Sequence, residues 1–94
     1  MKIIRSRRFV INLLEILHYI AKDKISAGKN FKADLDKQIN DIPNFPYKYR
    51  QSIYFDDKNM RDLIFKKYTI TYEVNLEDNK IEILDIFNRN KPTT

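Results

Sequence analysis

The sequence predicts a two-layer α+β domain: an N-terminal strand, a two-helix hairpin, then an antiparallel β-meander packed on the helices. Three observations predict it. Apolar residues recur at steps of three and four through two segments of the first half. From Tyr68 to Asn75 apolar and polar residues alternate, the period of a half-buried strand. Short clusters of turn-forming residues punctuate the apolar runs of the second half.

Lys2–Arg5 is a short strand candidate. Ser6 is placed to cap a helix, because its hydroxyl can accept from an early helical N–H. Phe9, Leu13, Ile16, Leu17 and Ile20 then form one apolar stripe, widened by Val10, Leu14 and Ala21. The expected helix runs from Arg7 to Lys22. Asp23-Lys24-Ile25-Ser26 is a polar break, with Ser26 as the next N-cap. Ala27, Phe31, Leu35, Ile39 and Ile42 recur at helical spacing, while Lys29, Lys32, Asp36 and Lys37 mostly take the other face. Pro43 stops this second helix, since it lacks a backbone N–H and biases Ile42 away from helix. So short a break implies a roughly antiparallel hairpin.

Asn44–Tyr49 reads as a loop around Pro46. Gln51–Phe55 is a short strand or an irregular extended piece. Asp56-Asp57-Lys58-Asn59 is turn chemistry. Arg61–Phe65 is a strand, Lys66-Lys67 a tight connection, and the alternating strand from Tyr68 follows. Glu77-Asp78-Asn79 turns the chain again. Ile81–Phe87 is apolar at both parities, as expected of a central strand covered on both faces.

Ninety-four residues with 43% apolar side chains make a single domain with a real but small core, and a polar tail at about 89–94. With no cysteine, disulfides and thiolate metal sites are excluded, which fits a reducing compartment. No signal peptide or membrane span is read, so the expected location is the cytoplasm. A net charge of +5 suits nucleic acid or an acidic protein as partner. The sequence has no Gly-rich phosphate loop, metal-ligand cluster or nucleophile elbow, so no cofactor and no metal is expected.

Several stretches carry a family resemblance: Tyr19-Ile20-Ala21 closing the first helix, Ala27 with Phe31 and Leu35 in the second, and Pro46 followed by Tyr49-Arg50. Arg61-Asp62-Leu63-Ile64-Phe65, Tyr68-Thr69-Ile70-Thr71-Tyr72 and Ile81-Glu82-Ile83-Leu84-Asp85-Ile86-Phe87 continue it. In order and spacing, over roughly residues 2–89, they resemble the RelE/ParE superfamily of bacterial type II toxins. The resemblance implies a small basic toxin encoded beside an antitoxin that wraps over it. Operator DNA is then met only through the antitoxin complex. RelE-like members cut messenger RNA in the ribosome, whereas ParE-like members poison DNA gyrase, and the shared fold does not choose between them.

RNA cleavage by a ribose 2′-oxygen needs a proton acceptor, a proton donor and cations on the developing charge. Family nucleases commonly place a His or Tyr near the end of the last strand, where this chain has Phe87-Asn88-Arg89. The only histidine, His18, sits inside the first helix, as a flank or partly buried structural residue. Glu73 and Glu82 are candidate bases, weighed against ordinary solvated strand positions. Arg61 stands where the family often has an arginine. It is a phosphate or partner contact, or else a salt bridge to Asp57 or Asp85.

The further cationic candidates are Arg50, Lys66, Lys67, Arg89 and Lys91, expected to converge with Arg61 at one sheet edge. Arg5, Arg7 and Arg8 form a second cluster that opposes the helix dipole and so is not placed for helix stability. Tyr47, Tyr49 and Tyr54, with Phe45 and Phe55, could stack on bases or grip a partner, or plug the end of the core. The missing late acid/base residue favours the ParE-like branch, with Arg61, Arg50 and Arg89 on the functional surface. The alternative is a RelE-like ribosome-dependent endoribonuclease holding the scissile phosphate with Arg61 and Lys66 or Lys67. A third reading is a degenerate member that only binds its antitoxin. The antitoxin segment suited to a basic domain with apolar grooves is amphipathic and acidic.

Overall fold

A computed structural model describes residues 1–88. The chain runs β1 (Lys2–Arg5), α1 (Arg7–Asp23), α2 (Ile25–Asp41), a 3₁₀ turn (Ile42–Asn44), β2 (Arg50–Gln51), β3 (Met60–Phe65), β4 (Tyr68–Asn75) and β5 (Lys80–Asn88). The five strands form one sheet in the order β1-β5-β4-β3-β2. β1 runs parallel to β5, and every other pair is antiparallel. The helices pack on one face of this sheet, as the sequence predicts. The expected tail, with Arg89 and Lys91, lies outside the described residues.

Ser6 starts α1 as expected. Its Oγ accepts from the Phe9 N–H at 3.1 Å, and its own hydroxyl donates to the Leu84 carbonyl at 2.8 Å. The Ser6 N–H donates to the Ile83 carbonyl at 2.9 Å, so the cap also ties the helix to β5. Ser26, the second expected cap, lies inside α2. Helix α2 starts at Ile25 behind a single extended residue, Lys24, whose side chain makes no capping bond. The close approach that so short a link demands is met at Gly28, where a Cβ would sit 3.4 Å from the Ala21 Cβ and from the Leu17 carbonyl oxygen. Helix α2 ends at Asp41, and Pro43 belongs to the 3₁₀ turn.

The helix-facing core collects Phe9 and Leu13 from α1, Phe31, Leu35 and Ile39 from α2, and Leu63, Ile70, Tyr72, Ile81, Ile83 and Ile86 from the sheet. Phe31 meets Phe65 and Tyr68 edge-on at 5.1 and 5.5 Å. Each fully buried aliphatic or aromatic side chain contributes about 1.5–3 kcal/mol through burial. Two residues expected to widen the α1 stripe are instead exposed: Val10 at 40% and Leu14 at 60%, beside Ile11 at 46%. Only the inner arc of α1 meets the sheet, so residues on its outer flank stay in water.

Two strand expectations are corrected. Strand β5 carries apolar residues at both parities because of a bulge, and not because both faces are covered. Thr71 pairs with Asp85 but its neighbour Tyr72 pairs with Ile83, so Leu84 is the extra residue and the parity switches there. Ile81, Ile83 and Ile86 therefore share the helix face. The strand buried on both faces is β4, where Tyr68 through Tyr72 are all buried. It is the middle strand of the sheet. On the side away from the helices, Thr69 is flanked by Ile64 and Phe87, and Thr71 by Asp62 and Asp85. The extended piece expected at Gln51–Phe55 forms a ladder only at Arg50–Gln51. Beyond it the Ser52 N–H still donates to the Met60 carbonyl at 2.7 Å.

Candidate functional site

The register separates the cationic candidates instead of gathering them. Arg61 lies opposite Tyr72 and shares the helix side of the sheet, whereas Arg50 lies opposite Asp62 on the far side. Lys66 and Lys67 form the β3–β4 turn, at the other end of β3 from Arg61. The expected convergence at one edge therefore fails among the described residues. Arg89, the fifth candidate, is not described.

Arg61 is engaged by the backbone. Its Nε donates to the Lys58 carbonyl at 2.8 Å and its Nη1 to the Tyr49 carbonyl at 3.1 Å, while the guanidinium lies 4.9 Å from the Tyr47 ring centre. The expected salt bridge to Asp57 or Asp85 is not the partner found. Around this clamp the Tyr47 hydroxyl donates to Asn59 Oδ1 at 2.7 Å, and the Asn59 carbonyl accepts from Val74 N–H at 2.8 Å. Tyr72 donates its hydroxyl to the Pro46 carbonyl at 2.7 Å and meets Tyr49 edge-on. Burial pushes the Tyr72 phenol well above its ordinary value of 10.0, the nearby Arg61 charge opposing the shift. Burial also raises Tyr68, and Tyr19 adds to it. The aromatic loop thus splits: Tyr49 plugs the core end, Tyr47 covers Arg61, and Phe45 stands 66% exposed.

The far face has a different chemistry. Asp62 is 1% exposed, and its Oδ1 accepts from the Thr71 hydroxyl at 3.0 Å. Among the described residues its Oδ2 receives no hydrogen bond, and Arg50 Nη2 stands 3.9 Å away. The Thr69 hydroxyl is likewise buried without a partner among the described residues. Next along the row, Asp85 Oδ1 accepts from Asn12 Nδ2 at 2.7 Å and from the Ile86 N–H at 2.8 Å. A cavity of about 470 Å³ opens here, bordered by Arg8, Tyr54, Phe55, Thr71, Asp85 and Phe87 among others. Tyr54 reaches over the sheet to meet Phe87 edge-on at 5.3 Å.

The remaining candidates lie apart. Lys66 adopts a left-handed backbone (φ 55°) and sits 5.5–5.6 Å from the ring centres of Phe65 and Phe31. A groove of about 440 Å³ runs beside this turn, touched by Ile16, Tyr19, Lys67, Tyr68 and Phe87. His18 is exposed on α1 rather than partly buried. Glu73 and Glu82 face each other across β4 and β5. Among the described residues no group of His, Cys, Asp or Glu is arranged to hold a metal ion, and no helix is long and apolar enough to cross a membrane. Sequence reasoning singled out neither Thr71 nor Asp85 for this cavity, nor Asn12, which holds Asp85 from α1. The only available signal was a polar row inside apolar strands.

The profile of a known family, the ParE toxin of type II toxin–antitoxin systems (parDE), matches residues 3–92. The chain belongs to the ParE toxin family. Among solved structures, this ParE toxin is similar to a chain from the chromosomal ParDE toxin–antitoxin system of P. aeruginosa. The TM-score is 0.73 at 16% identity, over 94% of this chain and 95% of that one. That likeness shows the shared fold. No curated protein matches this sequence. The protein is a ParE-like toxin of a type II pair, and a cognate antitoxin is its partner.

Proposed function

We propose that this ParE toxin arrests growth by binding a macromolecular target, with DNA gyrase the target the family suggests. The observation that supports this reading is the family profile, which spans residues 3–92, from β1 to beyond β5. The target contact is assigned to the far face of the sheet, where Arg50 is half-exposed beside Asp62. Arg61 contributes from behind by holding the 45–59 segment in place.

The antitoxin is assigned to α1. Val10, Ile11 and Leu14 expose apolar surface that the toxin's own core leaves uncovered. An amphipathic segment from the antitoxin buries this patch, and acidic residues on it meet the basic toxin. Leu14→Asp then leaves folding intact, abolishes co-purification with the antitoxin and leaves toxicity unchecked. Retained co-purification contradicts that placement.

Purified toxin decides the target. Gyrase–DNA cleavage complexes without RNA cuts support this function. Specific cuts in messenger RNA on stalled ribosomes, with gyrase unaffected, replace it with the RelE-type nuclease. Normal growth after induction, with folded protein accumulating, replaces it with a binder of the antitoxin alone.

A further inference from the structure

We propose that the far-face cavity binds a mononucleotide whose base carries an exocyclic amino group. This goes beyond the toxin reading and does not depend on it. The bulge in β5 turns Asp85 towards the cavity; bulges re-aim side chains in this way beside functional sites. Asn12 and the Ile86 N–H fix one carboxylate oxygen of Asp85. Among the described residues, no donor reaches the other. The Thr71 hydroxyl lies across the strand pair and spends its proton on Asp62. It therefore presents only lone pairs to the cavity. Two acceptors side by side suit an amino group, which gives one proton to each.

The walls and the border complete the pattern. Tyr54, Phe55 and Phe87 line the cavity, with Tyr54 50% and Phe55 47% exposed. Aromatic walls suit a planar base, whose stacking is worth about 1–3 kcal/mol. Arg8 borders the same cavity, is exposed, and forms no ion pair among the described residues. Its guanidinium suits a phosphate.

The graded exposure orders these features: Thr71 buried, Asp85 half-buried, Arg8 exposed. A ligand must therefore carry its donor deep, a planar body between, and an anion at the mouth. A nucleotide has that order. An aromatic amino acid carries its ammonium and carboxylate on one carbon and cannot span it. A cationic side chain meets Arg8 and a net charge of +5. The volume of about 470 Å³ lies in the range of small-ligand sites.

The test is calorimetric titration of the purified full chain with AMP and with IMP, which differ in a 6-amino against a 6-oxo group. AMP is expected to bind at least about tenfold tighter, because IMP leaves the acceptors facing an oxygen. Asp85→Asn offers an amide donor, so it narrows or reverses the AMP preference. Arg8→Ala lowers AMP affinity towards that of adenosine and leaves adenosine unchanged. Equal binding of AMP and IMP, no binding of either, or a preference that Asp85→Asn leaves untouched overturns the proposal. Binding of L-phenylalanine or L-arginine in place of AMP overturns it as well. The wild-type AMP–IMP pair keeps the test decisive if a variant fails to fold.

Discussion

Leu63 and Asp62 are neighbours on β3, both buried, and they point to opposite faces of one sheet. On the Leu63 side apolar side chains from both helices fill the space, and the fully buried Tyr72 has the Pro46 carbonyl as partner for its hydroxyl. On the Asp62 side, Asp62 Oδ2 and the Thr69 hydroxyl are buried without hydrogen bonds among the described residues, and a cavity bordered by Thr71 and Asp85 opens on the same face. Buried polar groups left half-satisfied oppose stability. One face therefore holds the fold together, while the other keeps a chemistry that folding alone does not require.

That difference is open to direct attack. Leu63→Ala should cost about 2–5 kcal/mol in urea unfolding, through lost transfer energy and a cavity. Asp62→Asn, one residue away, should shift stability by less than about 1 kcal/mol in either direction, since the charge it removes is poorly repaid. Equal losses at the two positions would erase the contrast.

Tyr72→Phe should cost about 1 kcal/mol at neutral pH by orphaning the Pro46 carbonyl. Its pH dependence has a defined sign. The folded phenol titrates above its unfolded value of 10.0, so the unfolded chain loses that proton first. Stability is thus fully present below about pH 10 and falls as pH rises beyond it. Tyr72→Phe should flatten that alkaline fall, and an unchanged slope would assign it elsewhere. The smallest effect is on the far face. Glu73 and Glu82 face each other across the ladder, so Glu82→Lys should stabilise by about 0.5 kcal/mol, read as a small rise in urea midpoint.

Much of the helix face was legible in the sequence. Phe31, Leu35 and Ile39 declare their side of α2 by spacing, Ile42 continues it into the 3₁₀ turn, and Ser6 declares the start of α1. The β5 bulge was not legible, because apolar residues at both parities look alike whether a strand is covered twice or shifts register once. Neither was the role of Arg61, whose partners are backbone carbonyls that carry no residue identity. The exposure of Val10 and Leu14 depends on how far α1 rolls onto the sheet. Their spacing alone suits a wider stripe. Asp85 gave no signal by itself, and its setting arises only when Asn12, 73 positions earlier, comes beside it.

We propose that this toxin meets its target on the far face of the sheet, and not on the helix-covered one. The growth curve after induction of Arg50→Gln, with the protein confirmed folded and as abundant as wild type, tests it most directly. Growth that continues is the predicted result, since Arg50 supports no core packing and stands beside Asp62 on that face. Arrest as complete as with the wild-type toxin would contradict the account.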